Sequence, residues 1–189
     1  MNKLSSLLIA LLFLTFCCNA ASAQTQKGEF INTSIGIGMV AADDQADITG
    51  SGFYAQGEYV YNILSWFGLR PYAGAIFASG ASDEPGMDHY KVKSNAFLLG
   101  GKARITAPIP YVAPFLESGI GMSIGEFKTY TPYTHLEKKG LQLHIPVTLG
   151  LAIGRNHDYE LKFVYYFHPA AEQTSGAAAI GYSFPLDRS

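Results

Sequence analysis

Gly140-Leu-Gln-Leu-His-Ile-Pro-Val-Thr-Leu-Gly-Leu-Ala-Ile-Gly154 carries the strongest periodic signal in the chain. Leu141, Leu143, Ile145, Val147, Leu149, Leu151 and Ile153 occupy every second position, with Gln142, His144, Pro146, Thr148, Gly150 and Ala152 between them. Successive side chains of a strand point to opposite faces, whereas a helix would scatter these residues around its axis. The stretch reads as one long strand with an apolar face and a face of polar and small residues.

The same period recovers seven more strands. Residues 29–41 set Ile31, Ile35, Ile37 and Met39 against Asn32, Ser34, Gly36 and Gly38; residues 52–64 set Phe53, Tyr59, Tyr61 and Ile63 against Gln56, Glu58 and Asn62. Residues 68–80 oppose Leu69, Ala73, Ala75 and Phe77 to Arg70, Tyr72 and Gly74; residues 92–105 oppose Phe97, Leu99, Ala103 and Ile105 to Lys102 and Arg104. Residues 111–126 oppose Val112, Leu116, Ile120, Met122 and Ile124 to Glu117, Gly119 and Gly121. Residues 159–168 oppose Tyr159, Leu161, Phe163, Tyr165 and Phe167 to Glu160, Lys162 and His168; residues 177–184 oppose Ile180, Tyr182 and Phe184 to Ala179, Gly181 and Ser183. Long polar connections (42–51, 81–91, 127–139, 169–176) alternate with short turns (65–67, 106–110, 155–158). Strictly alternating connection lengths predict an eight-stranded antiparallel up-and-down β-barrel, an all-β fold with its long loops at one end. Pro71 and Pro114 fall within strands, where each removes a ladder donor, so bulges or frayed ends are expected there; Pro146 interrupts the best strand.

Composition agrees with this. Twenty glycines, twelve Tyr and twelve Phe favour strands and turns, and only 15% of the 189 residues are charged. Soluble domains carry about 25%. A formal charge of −2 leaves no basic face for nucleic acid.

Lys3, the apolar run from Leu7 to Phe16 and the Ala-Ser-Ala23 exit form a secretory signal peptide over residues 1–23, leaving residues 24–189 as the barrel domain. The run is shorter than the roughly 20 residues of a spanning helix. Lipidation at Cys17 is disfavoured by Phe16, which stands where a small residue belongs. Cleavage removes both cysteines, and with them any disulfide, thiol nucleophile or zinc–thiolate site.

Alternation does not say which face is inside. A soluble barrel buries the apolar face around a ligand, whereas a membrane barrel turns it to lipid. Three features select the second arrangement. The polar face is rich in Gly, Ala and Ser, which fit the narrow interior of an eight-stranded barrel. Its charges nearly balance, with Glu58, Glu117 and Glu160 facing Arg70, Lys102, Arg104 and Lys162 as an interior polar network. The aromatics gather at strand ends, Tyr59, Tyr61, Trp66, Tyr159, Tyr182 and Phe184 low and Phe53, Phe77 and Phe167 high, as in the belts at lipid interfaces.

In this pattern the mature chain resembles the small eight-stranded outer-membrane barrels of the OmpA/OmpX type. The resemblance implies the outer membrane of a Gram-negative bacterium, both termini periplasmic, contact with outer-membrane lipid and lipopolysaccharide, and insertion by the barrel machinery. Such barrels often end on an aromatic read by that machinery; Tyr182-Ser-Phe184 matches, with Pro185-Leu-Asp-Arg-Ser189 overhanging. A structural or surface-interaction role through four external loops follows, with Thr129-Tyr-Thr-Pro-Tyr-Thr-His135 as a surface suited to a host or surface ligand.

Chemistry is sparse. No dinucleotide fingerprint, P-loop or zinc-protease motif is present, and neither a cofactor nor a metal is expected. The acidic stretch Ser82–His89 has no recognised cation-ligand spacing and reads as a solvated loop. Outer-membrane lipid A deacylases are also eight-stranded barrels and carry a late His-x-Ser pair. Here His168 is followed by Pro169 and Ala170, so the nucleophile of that pattern is missing. Glu172 and Ser175 are the remaining candidates for such an enzyme, the alternative function, with a soluble periplasmic barrel for an apolar ligand behind it. His144 faces inward by parity. An open pore is not expected, because long inward side chains fill what an eight-stranded barrel leaves free.

Overall fold

The computed structural model describes residues 27–43, 48–82, 89–169 and 173–186. The leader over 1–23, most of the acidic stretch and Glu172 lie outside these residues. The strands are β1 (Gly28–Ala42), β2 (Thr49–Asn62), β3 (Phe67–Ala81), β4 (Lys91–Thr106), β5 (Val112–Tyr130), β6 (His135–Ile153), β7 (Tyr159–His168) and β8 (Gln173–Pro185). Each pairs antiparallel with its sequence neighbour, and β8 closes on β1. All eight predicted strands are present, and the barrel is closed.

Following hydrogen-bonded partners around the wall gives its geometry. The line runs Glu29, Tyr61, Leu69, Ala103, Ser118, Val147, Tyr165, Gly176 and returns to β1 at Met39, ten residues above its start. With eight strands at ordinary spacings this stagger tilts them by about 40° and gives a backbone radius of about 8 Å. Each residue then adds about 2.5 Å of height. From Leu141 to Ile153 the outward face of β6 is apolar, a span of about 30 Å. That is the thickness of a bilayer's hydrocarbon core.

The faces follow the predicted parity. Ile35, Ile37, Phe97, Leu99, Ile120, Leu143, Phe163 and Ile180 point outward and are exposed. Glu58, Arg70, Lys102, Arg104, Glu117, Glu160 and Lys162 point inward and are buried.

Three expectations need correction. Residues 127–139 are not a long loop: β5 runs to Tyr130 and β6 starts at His135, so the connection is the turn 131–134 on a hairpin that rises above the wall. Cross-strand pairing of Lys128 with Glu137 and Glu126 with Lys139 sustains strand where polarity suggested loop. Ser175, expected in a loop, lies within β8. The prolines produce gaps rather than bulges. β2 and β3 pair from Ser51↔Ser79 to Glu58↔Tyr72 and resume at Tyr61↔Leu69 in unchanged register, passing over Pro71. β5 and β6 likewise skip from Ser118↔Val147 to Gly121↔His144, opposite Pro146, while Pro114 stays paired with Leu151.

The short-turn end is tied together by the backbone. Gly154 N donates to Tyr111 O at 2.9 Å, Ser183 N to Asp158 O at 2.8 Å and Thr106 N to Trp66 O at 2.9 Å.

Candidate functional site

The lumen is layered. At the short-turn end all seven predicted network residues meet. Glu58 accepts from Arg70 Nη1, Lys102 Nζ and Lys162 Nζ, each at 3.0 Å. Glu117 accepts from Lys102 Nζ and Arg104 Nε, each at 2.6 Å. Glu160 pairs with Arg104 Nη1 at 2.7 Å, Arg70 Nη1 at 3.1 Å and Lys162 Nζ at 3.1 Å. Every carboxylate thus holds at least two cations, which is what makes charge tolerable away from water. The Arg104 guanidinium also lies 3.5 Å from the Phe115 ring centroid, over the small apolar floor of Phe115, Ala113 and Ala152. A cavity of about 20 Å³, room for a single water, is bordered by Arg70, Arg104, Asp158 and Glu160.

Above this layer lies a chain of neutral polar groups that parity alone had not joined. Tyr72 Oη sits 2.5 Å from His144 Nε2, His144 Nδ1 2.7 Å from Ser123 Oγ, Ser123 Oγ 2.8 Å from His168 Nε2, and His168 Nδ1 3.1 Å from the Tyr166 carbonyl. One terminus fixes every proton. A carbonyl only accepts, so His168 Nδ1 carries hydrogen and, in the neutral ring, Nε2 accepts from Ser123. Ser123 Oγ must then accept from His144 Nδ1, leaving His144 Nε2 to accept from Tyr72. A second run descends from Tyr166 Oη to Gln56 Oε1 at 2.5 Å, and from Gln56 Nε2 to Glu58 Oε1 at 2.8 Å, linking this layer to the charged one.

The upper lumen is an apolar core of Val40, Ile76, Val92, Leu98, Phe127 and Val164 around Tyr54 and Tyr166. These residues stand at inward positions, but their types gave no sign of facing a polar lumen. A barrel interior this narrow is packed by whatever fills it.

The enzyme candidates are not assembled. The His168 ring is fully buried and engaged by Ser123 and the Tyr166 carbonyl. Ser175 Oγ donates to Ser94 Oγ at 2.8 Å, and Glu172 lies outside the described residues. Ser123, the serine that does meet two imidazoles, is also fully buried. A nucleophile needs access to substrate as well as a base, so this constellation is suited to holding strands together.

The β5–β6 hairpin forms the other site. On its outer face Lys93 Nζ lies 2.6 Å from Glu126 Oε2, with Lys128 and Lys139 at 3.2 and 3.4 Å from Glu126 Oε1. Glu137 holds Lys139 at 2.7 Å and Lys128 at 3.4 Å, and accepts from Tyr130 Oη at 2.9 Å. The hydrogen bond from Lys93 draws Glu126 down to about 2, and that from Lys139 draws Glu137 down to about 2. The same carboxylates raise Lys128 and Lys139. Lys91 Nζ stands 5.9 Å from the Tyr130 ring centroid, and Tyr133 at the tip is 70% exposed.

With apolar band, packed lumen and rising hairpin in place, comparison with solved structures is direct. Neisserial surface protein A superposes with a TM-score of 0.56 over 85% of this chain and 98% of its own, at 10% identity. The chain has the fold of the small outer-membrane barrels. The outer membrane protein OprG from Pseudomonas aeruginosa matches with a TM-score of 0.51 over 87% of this chain and 99% of its own, at 12% identity. At these identities the likeness is one of fold. No family model matches the sequence, and no curated protein matches it.

Proposed function

We propose that residues 24–189 form a non-enzymatic outer-membrane barrel of a Gram-negative bacterium, exported through the leader 1–23, with a surface-interaction role borne by its long-loop end. One observation carries this reading. An outward apolar band about 30 Å tall ends abruptly where Asn95, Glu126 and Lys139 stand side by side in register, and a hairpin rises above that line. Tyr59, Tyr61, Tyr159 and Phe184 ring the opposite rim, where aromatic side chains sit well at a lipid interface. The termini then lie on the periplasmic side, with Phe184 as the aromatic that the insertion machinery reads. Outside the membrane the hairpin offers Tyr130, Tyr133 and His135 to a host or neighbouring surface. Lipid-A deacylation has no support in the geometry, since His168 and Ser175 are each bonded elsewhere.

Single cysteines test the orientation, because cleavage after Ala23 leaves none. Tyr133→Cys should react with an impermeant maleimide on intact cells, and Asn156→Cys only after permeabilisation; the reverse pattern would refute it. Replacing residues 129–135 should abolish adhesion to cells, and undiminished adhesion would remove the surface-interaction role.

A further inference from the structure

The charged face of the hairpin sits beside lipid as well as above it, and it is confined to one sector. Lys93, Lys128 and Lys139 project outward four, four and two residues beyond the last apolar positions Phe97, Ile124 and Leu141. At about 2.5 Å per residue that places their stems about 5–10 Å above the hydrocarbon edge, from which long lysine side chains reach headgroup phosphates. At the same height the outward positions of the other strands are Ala41, Thr49, Ser51, Ser79, Ala81 and Thr174. Among the described residues, no other sector places Lys or Arg there.

Lys91, Lys93, Lys128 and Lys139 face two carboxylates, Glu126 and Glu137, so the sector keeps a positive excess after its internal pairs are counted. Glu126 gathers three ammonium groups within 3.4 Å of its oxygens and so holds them as a cluster. Clustered ammonium groups with free valences are what a phosphate's oxygens meet well.

We propose that this sector binds a phosphorylated glycolipid of the facing leaflet, its phosphates on Lys93, Lys128 and Lys139 and its sugars against the rings above. The assignment rests on the membrane reading. Height selects the glycolipid over an ordinary phospholipid. Tyr130 and His135 stand about 15 Å above the apolar edge, taller than the 5–7 Å of a phospholipid headgroup layer. Their rings lie 4.5 Å apart, with Tyr133 beyond them at the tip. A headgroup of phosphorylated sugars fills that height, its charges at the base and its apolar ring faces opposite the aromatics.

Native mass spectrometry of the folded full barrel reads the test, using lipid A with both phosphates, the same lipid dephosphorylated, and phosphatidylglycerol. Every variant is first checked for folding by heat-dependent gel mobility, which fails separately if the membrane reading is wrong. The wild type should retain phosphorylated lipid A over both other lipids. Lys93→Gln, Lys128→Gln and Lys139→Gln should each lower retention about fivefold. Glu126→Gln, which releases three lysines, should retain as much or more, and excess inorganic phosphate should not displace the lipid. Lys138→Gln, on the other face of β6, is the control. Equal retention by wild type and the triple lysine variant would overturn the proposal, and so would phosphatidylglycerol retained as well as lipid A. If the triple variant does not fold, Lys139→Gln decides, since its side chain is 65% exposed and outside the packing.

Discussion

Glu58→Gln and Lys102→Met remove one charge each from the same buried cluster, and the structure predicts very different costs. Glu58 is the hub: it binds Arg70, Lys102 and Lys162 and accepts from Gln56. Its neutralisation leaves Arg70, Lys102, Arg104 and Lys162 with only Glu117 and Glu160, and turns an amide NH₂ toward cations. Stripping the partner from a buried charge costs about 3–5 kcal/mol. Lys102→Met leaves three cations for three carboxylates. Glu58 keeps Arg70 and Lys162, and Glu117 keeps Arg104, so only two contacts are lost. A cost of about 1–2 kcal/mol is expected, close to that of lost hydrogen bonds with the methylenes retained. Urea unfolding in lipid vesicles, followed by the fluorescence of the single tryptophan, Trp66, measures both. At about 1–3 kcal/mol per molar urea, Glu58→Gln should lower the midpoint by one molar or more and Lys102→Met by well under that. Equal shifts, or the larger one for Lys102→Met, would show that the cluster is not organised around Glu58.

Other consequences are as specific. Nitrogen-15 spectra of the folded barrel should show His144 and His168 neutral with hydrogen on Nδ1, and a hydrogen on Nε2 of either would break the assigned chain. Ser123→Ala should destabilise by about 2–4 kcal/mol by leaving two buried ring nitrogens without partners. A side chain added at Gly121 would start 2.3 Å from Tyr72 Oη and 2.4 Å from His144 Nε2. Gly121→Val should therefore cost about 1–3 kcal/mol, visible as a lower heat-shift temperature, and an unchanged one would contradict the packing. Glu126 and Glu137, drawn down from the ordinary carboxylate range, contribute stability that is present above about pH 4.5 and lost as pH falls through about 2. Carboxyl chemical shifts should accordingly stay at their ionised values at pH 4, and a midpoint at the ordinary carboxylate value of 4.5 would show the hairpin pairs to be absent.

Much of this was legible in residue order because a strand's period is two. Leu141 through Ile153 reveal a half-apolar strand on their own, and seven repetitions with alternating connection lengths leave little choice of topology. The network residues were legible for the same reason: Glu58, Lys102 and Lys162 share a parity, and a narrow lumen brings one parity together. The Tyr72–His144–Ser123–His168 chain was not, since it depends on register, and Gly121↔His144 follows from a hairpin turn whose sequence looks like a loop. Thr131-Pro-Tyr-Thr134 closes that hairpin with Thr131 Oγ1 accepting from Thr134 N at 2.8 Å, a side-chain turn inside a run of polar residues. Polarity marked 127–139 as a loop; its outward residues such as Glu137 and Lys139 are solvated, while Phe127, Thr129 and Thr131 turn inward and are buried. Solvation and strand coexist there because Glu–Lys pairs face each other across the ladder.

The central claim is that the Leu/Ile face looks out into lipid around a closed, packed lumen. Fractionating expressing cells and running the outer-membrane fraction unboiled and boiled tests it most directly. An intact barrel resists detergent until heated, so the account predicts a band confined to that fraction whose apparent mass changes on boiling. A soluble periplasmic band with the same mobility before and after heating would contradict it, and would place the Leu/Ile face inside the barrel.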